Sequence, residues 1–448
     1  MERVFYQALA NGAIDFQNVH FTTDEAFAAL SAKDLPSAGD ILITKDGSIG
    51  RAAVVPVGAP TFCINQSVAV LWLRDIPADR HFLVNAIHSE LLQQLIWDAA
   101  EGAAIKHISI TDFVQFPLPI PPLAEQHRIV AKVDELMALC DRLEQEVGAG
   151  ETAHAKLVET LLGTLTQSTD ADDIATNWQR LAEHFDTLFT TEASIDTLKQ
   201  TVLQLAVMGK LVPQDSEDEP ASELLKRIAK ERSRLEAEGK VKKSKPLPPV
   251  GDGEPPFEVA DGWVWARFAQ IAMVNGRLVD SQDHPDAMQV APDSIEKGTG
   301  RLIERRTVRD AGVRGPNQRF QAGQLLYSKI RPSLSKAVIV DFEGLCSADM
   351  YPLDPYIEPR FLLNQILSEI FLEQVRVAEN RVKMPKLNQE SLNAFLVCVP
   401  PLAEQHRIVT KVDELMSLCD RLKAALAESR TRQARLSATL IESTLQAV

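Results

Sequence analysis

Basic residues set in glycine- and proline-punctuated turns are the first feature of this sequence with a chemical use. Lys45, Ser48 and Arg51 surround the stretch Lys45-Asp-Gly-Ser-Ile-Gly50, which reads as a tight turn between two strands. Lys329, Arg331, Ser333 and Lys336 stand at the matching place later in the chain. This second group closes a longer basic segment, Lys297, Arg301, Arg305, Arg306, Arg309, Arg314, Arg319, Lys329, Arg331 and Lys336, opposed only by Glu304 and Asp310. A one-signed, arginine-rich segment outside any helical pattern suits contact with phosphates and base edges. Two more loops, each ahead of the last strand-like run of its region, offer Lys106 and His107 in one case and Arg381, Lys383 and Lys386 in the other. The bland alternatives are a plain hairpin and a solvated charged face. Because the whole chain carries a net charge of −15, any affinity for a polyanion must be local to these segments.

Other chemistry-bearing patterns fail on spacing. Glu254-Pro-Pro-Phe257 has the Pro-Pro-aromatic outline of an adenine methyltransferase motif, but with Glu first and inside a proline-rich linker, so it reads as chance. Pro292–Lys297 contains the letters of a metal-dependent nuclease site, yet Glu296 and Lys297 are adjacent and would point to opposite faces of a strand. No phosphate-binding loop or dinucleotide glycine pattern occurs. His127 and His406 each follow Glu-Gln in a helical stretch with no second ligand one turn on, so a packing hydrogen bond is the better role. Cys63, Cys140, Cys346, Cys398 and Cys419 contain no C-x-x-C pair, which favours reduced thiols over disulfides or zinc. With no apolar run near the roughly 20 residues of a membrane span and no signal-peptide pattern, a cytoplasmic protein is expected.

The elements that must position the basic turns form an internal repeat. Pro121–Leu143 and Pro400–Leu422 differ only at Ala131/Thr410 and Ala138/Ser417. In each, a Pro-Pro pair stops a strand-like run and suits a helix's first turn. Apolar residues then recur at Ile129, Val133, Leu136, Cys140 and Leu143, and at Ile408, Val412, Leu415, Cys419 and Leu422. The alternating four- and three-residue steps are those of a coiled-coil seam. Upstream, His81–Glu90 matches Arg360–Glu369 as part of one helix in each copy, over 81–100 and 360–378. Runs such as Gly39–Lys45, Arg51–Val57 and Ser67–Leu73, and Gln324–Ile330 and Lys336–Phe342, read as strands. Between the copies, Ser194–Pro213 and Ala221–Gly239 read as helices, the second capped by Ser222, and Lys240–Pro256 as an exposed linker. The first copy is short: nothing before Gly39 matches Phe257–Ala272. Truncation at its N-terminus is the expectation.

These residues resemble a known family. The twin Pro-Pro-Leu-Ala-Glu-Gln-His-Arg-Ile-Val helices, with Leu198–Asp215, Asp218–Ile228, Lys245–Pro249 and Asp261–Phe268 between them, are similar to the specificity subunit of type I restriction–modification enzymes. The resemblance covers essentially the whole chain. It implies an α+β fold in which two mixed α/β target recognition domains, 1–120 and 257–399, are separated by long helices, 121–166 and 400–448. The helices would pack as an antiparallel coiled coil about a pseudo-twofold axis. The stretch 167–239 would be a central helical region and 240–256 a linker. Each recognition domain would read one half of a bipartite site on double-stranded DNA through the basic loops, while the helices set the spacing. Two methyltransferase subunits and the restriction/translocase subunits would be the partners, carrying S-adenosylmethionine, ATP and Mg, with no cofactor in this chain. A single-chain restriction/methylation enzyme and a helical scaffold with no DNA role are the competing readings.

Overall fold

The computed structural model describes residues 3–5, 9–10, 12–16, 20–73, 76–102, 106–168, 171–239, 248–251, 253–379 and 385–446. The chain forms two compact units, Met1–Ala149 and Gly150–Val448, and the division falls inside one long helix.

Unit 1 contains strands β1 (Arg3–Phe5), β2 (His20–Thr22), β3 (Ile41–Thr44), β4 (Ala52–Val54), β5 (Phe62–Cys63) and β6 (Val68–Leu71). The antiparallel sheet β4-β3-β6 shows the two-residue period of a strand. Ile41 and Ile43 face a core completed by helices, whereas Leu42 faces a second core around Phe62 and Ile64. Helices α1 (Arg80–Ile87) and α2 (Glu90–Asp98) cover the first face. The sequence suggested one helix here. Ser89 breaks it, because its extended backbone (ψ 147°) ends α1 while its hydroxyl accepts the Leu92 amide at 3.4 Å as the cap of α2. A short α3 (Ile110–Phe113) precedes the first repeated helix, α4 (Leu123–Gln167).

Unit 2 begins with the end of α4, whose Val158, Leu162 and Leu165 are buried in its core. The longer helices that follow are α5 (Ala171–Glu183), α6 (Glu192–Val207) and α7 (Ala221–Ala237), with a single turn at Phe185–Leu188 between the first two. Gly209, at φ 72°, follows the end of α6, which stops at Val207, short of the expected Pro213. The cap of α7 is Pro220, with no side-chain hydrogen bond, and not the expected Ser222, which lies one position inside the helix. The strands are β7 (Val264–Arg267), β8 (Ala272–Val274), β9 (Arg277–Asp280), β10 (Met288–Val290), β11 (Arg306–Thr307), β12 (Pro316–Phe320), β13 (Leu325–Ser328), β14 (Ala337–Ile339), β15 (Gly344–Ser347) and β16 (Met350–Pro355). Next come α8 (Pro359–Leu367), α9 (Glu369–Ala378), α10 (Gln389–Ala394), β17 (Leu396–Val399) and the second repeated helix, α11 (Leu402–Gln446). Ser368 separates α8 from α9 as Ser89 separates α1 from α2.

Strand pairing shows how far the repeat extends. The parallel pair β1–β5 has its counterpart in β10–β15, and the antiparallel pair β1–β2 in β10–β11. Sheet β4-β3-β6 repeats as β14-β13-β16. Unit 1 therefore repeats much of unit 2 from β10 onward, while β7, β8, β9, β12 and β17 have no counterpart strand among the described residues. The two repeated helices have the same length, 45 residues, and begin at the same Leu of the motif. Mixed sheets followed by long helices, occurring twice, make the chain α+β with an internal repeat.

Within unit 2 the seam of the second repeated helix is packed antiparallel against α6. In unit 2, Ile408, Val412 and Cys419 of α11 are buried against Ile195, Leu198 and Val202 of α6, with Leu415 and Leu422 partly buried beside them. The helices run antiparallel, since Lys199 pairs with Asp420, Asp196 with Lys423 and Glu192 with Arg430. The apolar face of α6 follows the same rhythm, so it completes the seam of α11. On α4 the same letters have a different environment. Ile129 and Val133 are half-buried, while Leu136 (47% exposed), Cys140 and Leu143 (50%) are open.

Candidate nucleic-acid interface

The two basic turns are built by the same hydrogen bonds. In unit 1 the amide of Thr44 donates to the Arg51 carbonyl at 2.9 Å, closing the turn between β3 and β4. Gly47 (φ 71°) and Gly50 (φ 78°) supply its two left-handed positions. A side chain on Gly50 would come within 3.1 Å of Gln93, whose amide donates to the Gly50 carbonyl at 2.8 Å. The turn is tied to the later loop by Ile108 N–H donating to Lys45 O (2.9 Å) and Gly47 N–H to Lys106 O (2.8 Å). His107 pairs with Asp46 and remains half exposed. Thus Lys45, Ser48, Arg51, Lys106 and His107, far apart in sequence, share one edge of unit 1.

Unit 2 repeats three of these backbone bonds in a turn one residue longer. Ser328 N–H donates to Lys336 O (2.9 Å), Leu387 N–H to Lys329 O (2.9 Å) and Arg331 N–H to Pro385 O (2.9 Å). The left-handed positions of the turn are now Arg331 (φ 46°) and Ser335 (φ 47°). Lys329, Arg331, Ser333, Lys336 and Lys386 are thereby brought together, while Arg381 and Lys383 lie outside the described residues. Several of these groups are engaged. Lys336 Nζ donates to Pro292 O at 2.6 Å, and Lys386 pairs with Asp349 at 3.1 Å. Lys329 lies 5.2 Å from the centre of the Tyr351 ring. The Ser333 amide donates to Glu379 at 3.1 Å. Tyr351 stays neutral, because burial and then the neighbouring Asp349 carboxylate push its phenol up to about 12.

The rest of the basic segment is largely neutralised within the fold. Arg305 pairs with Asp341 at 3.2 Å and lies 4.9 Å from the Phe342 ring centre. Arg306 is held by Asp293 (3.0 Å) and Glu304 (3.4 Å), Arg309 by Asp286 (2.9 Å), Arg319 by Glu343 (3.7 Å), and Arg301 by Asp420. The sequence run implied a free basic face including Arg305 and Arg306. Both are instead ion-paired, with carboxylates other than Glu304 coming from outside the run. Among the described residues, Lys297, Arg314 and Arg331 are exposed and carry no such partner. No group of three His, Cys, Asp or Glu among the described residues is placed to hold a metal ion, and no helix there is long and apolar enough to cross a membrane.

The repeated motif holds a second device that sequence reasoning missed. Gln126 accepts the Asp79 amide ahead of α1 (2.7 Å) and donates to Pro121 O (2.8 Å). Gln405 accepts the Glu358 amide ahead of α8 (2.9 Å) and donates to Pro400 O (2.9 Å). Both glutamines are buried, and each fastens the start of a repeated helix to the unit preceding it. His127 and His406 add contacts to the carboxylates of Asp79 (3.5 Å) and Glu358 (3.4 Å), the packing role expected of them. The available signal was a polar residue at the same inward-facing helix position in both copies.

In unit 2 the junction also buries Glu404, whose carboxylate accepts the Trp263 indole N–H at 2.9 Å while its Oε1 has no partner. Burial raises its carboxyl above the ordinary glutamate value of 4.5, against the Trp263 hydrogen bond and the charge of Arg407. A raised carboxylate means the folded state holds the proton more tightly. Its stabilisation is thus fully present below the ordinary value and lost as pH rises through the folded one. Urea titrations should show unit 2 losing stability as pH rises out of that window, and Glu404→Gln should flatten the dependence. An unchanged slope in the variant would contradict the assignment.

Two matching basic turns and two matching junctions agree with what comparison with known proteins finds. The family model for the type I restriction modification DNA specificity domain matches residues 5–149 and again 294–429. The chain belongs to this family. Among curated relatives, the type I restriction enzyme EcoAI specificity subunit of Escherichia coli is 35% identical over 395 residues, covering 83% of this chain and 65% of the relative. The EcoEI specificity subunit of Escherichia coli is 37% identical over 364 residues, covering 77% and 61%. The chain thus spans slightly less than two thirds of those relatives. A solved chain from a study of complex assembly and conformational transition of the type I R-M system matches with a TM-score of 0.55. It covers 97% of this chain and 89% of that one at 16% identity, a likeness of fold. Both matched segments of the DNA specificity domain contain a basic turn and end within a repeated helix.

Proposed function

We propose that this chain is the DNA sequence-specificity subunit of a type I restriction–modification complex and is itself non-catalytic. One observation carries the reading: each copy of the DNA specificity domain presents a basic turn closed by the same backbone hydrogen bonds, and each is fastened by a buried glutamine to a helix of identical length. Each turn edge reads one half of a split double-stranded site. The helices keep the two readers at a set separation, as half-site recognition demands. Two methyltransferase subunits dock on the repeated helices, since near-identical surfaces receive identical partners, and restriction/translocase subunits join them in the cytoplasm. S-adenosylmethionine, ATP and Mg belong to those subunits, where methylation of a base inside a duplex requires flipping it out of the stack.

The test is sequencing of methylated adenine in the DNA of a host expressing this chain with its methyltransferase partner. One bipartite motif with a fixed gap is expected. A continuous motif, or no motif from an assembled complex, would overturn the proposal.

A further inference from the structure

We infer that Arg331 reads a guanine in the major groove of the half-site recognised by unit 2; the inference rests on the function proposed above. Arg331 and Ser335 are the only non-glycine residues with positive φ among the described residues. L side chains avoid that region, because Cβ approaches the following carbonyl oxygen. The matching turn of unit 1, one residue shorter, has Gly47 in the place of Arg331 and Gly50 just before its closing Arg51, so its left-handed positions are made by glycine without the conflict. An arginine where glycine fits better is a local cost, and backbone outliers of this kind gather at functional sites.

Nothing among the described residues repays that cost. The guanidinium of Arg331 is exposed and has no ion pair or hydrogen bond among the described residues, whereas Arg301, Arg305, Arg306, Arg309 and Arg319 are all paired. The backbone beneath it is fixed on both sides, by Arg331 N–H to Pro385 O and Leu387 N–H to Lys329 O. Pro332, buried next to it, accepts the Tyr327 hydroxyl through its carbonyl at 3.5 Å. A rigid base under a free guanidinium is what reading a base edge requires: the planar fork meets O6 and N7 of guanine with two parallel hydrogen bonds. A phosphate contact needs no such fixed placement, because it orients the protein without reading sequence.

The experiment compares wild type, Arg331→Gly and Arg331→Lys as full chains in the complex with the methyltransferase partner. Arg331→Gly adopts the turn without strain, so folding is retained and stability against urea is equal to or above wild type. It should relax one G·C position in one half of the motif, with discrimination there falling roughly tenfold or more, and leave the other half unchanged. Arg331→Lys keeps the charge but loses the fork, so it should retain overall affinity and still lose that discrimination. An unchanged motif in Arg331→Gly overturns the inference. So does uniform weakening across sequences with a shallower salt dependence and full rescue by lysine, which would mark a phosphate contact. A wild-type complex with no bipartite motif removes the proposed function itself, and this inference falls with it.

Discussion

Replacing Gln405 by leucine is expected to destabilise unit 2 by about 2–4 kcal/mol, the largest effect of any single change in the repeated motif. Leucine has nearly the same volume, so packing is preserved and the loss isolates polar chemistry. Two main-chain groups lose their partner together: the Glu358 amide before α8 and the Pro400 carbonyl before α11. A buried amide or carbonyl stripped of its partner costs about 1–3 kcal/mol. The Pro400 site is fully buried and the Glu358 site partly so, which places the sum below the arithmetic maximum. Gln126→Leu should cost less, because both of its partners are only partly buried. His406 will not compensate, since its contact with Glu358 is largely exposed and such pairs contribute little. Hydrogen exchange over 358–367 and 400–408, with urea unfolding of the full chain, measures both effects. A cost within about 0.5 kcal/mol of the ordinary range for surface substitutions would dismiss the clamp.

How this junction escaped the sequence reading shows where local patterns stop being informative. The strands were legible because Ile41–Thr44, Val68–Leu71 and Leu325–Ser328 are β-branched or apolar runs bounded by turn residues. The repeated helices were legible from Pro-Pro starts and seam spacing, and their ends agree with the pattern's continuation. Charge was misleading for a physical reason. Arg305 is paired with Asp341 and Arg301 shares Asp420 with Lys199, partners that only the fold brings near, so a count along the chain overstates the free field. Helix pairing is underdetermined for a similar reason: a seam declares that it wants a partner, and within unit 2 α6 offers α11 a matching rhythm. Ser89 and Ser368 were invisible as breaks because serine is tolerated within helices and becomes a cap only when the chain turns there. The turns were legible as basic loops, yet their union with 106–108 and 385–387 needed the bridging hydrogen bonds.

Exchanging residues 257–399 for the corresponding segment of a relative with a different target should change one half of the methylated motif completely and leave the other half and the gap intact. The geometry of unit 2 makes this segment a module. Its first strand β7 and last strand β17 pair antiparallel, with Val264 opposite Val399, so the chain enters and leaves at one place. The turn carrying Arg331, the loop at 385–387 and all the sheets that support them lie between those ends. Contacts that cross the boundary must be retained, among them Trp263 to Glu404, the Glu358 amide to Gln405, Cys398 to the Val207 carbonyl at 2.8 Å, the Ala221 amide to the Gly262 carbonyl at 2.9 Å and Arg360 to Asp413 at 2.6 Å. A donor lacking them would leave buried polar groups unsatisfied, and the outcome would report misfolding in place of recognition. With them kept, α11 and α6 retain their packing, so the gap that we propose the helices set has no reason to change. Each wrong base pair in a half-site costs about 1–3 kcal/mol, enough for several positions to switch the reading entirely. Adenine methylation mapping of the chimera measures both halves at once. Alteration of both halves would mean that recognition is shared between the units, and the modular reading would then be abandoned even though the family assignment stands.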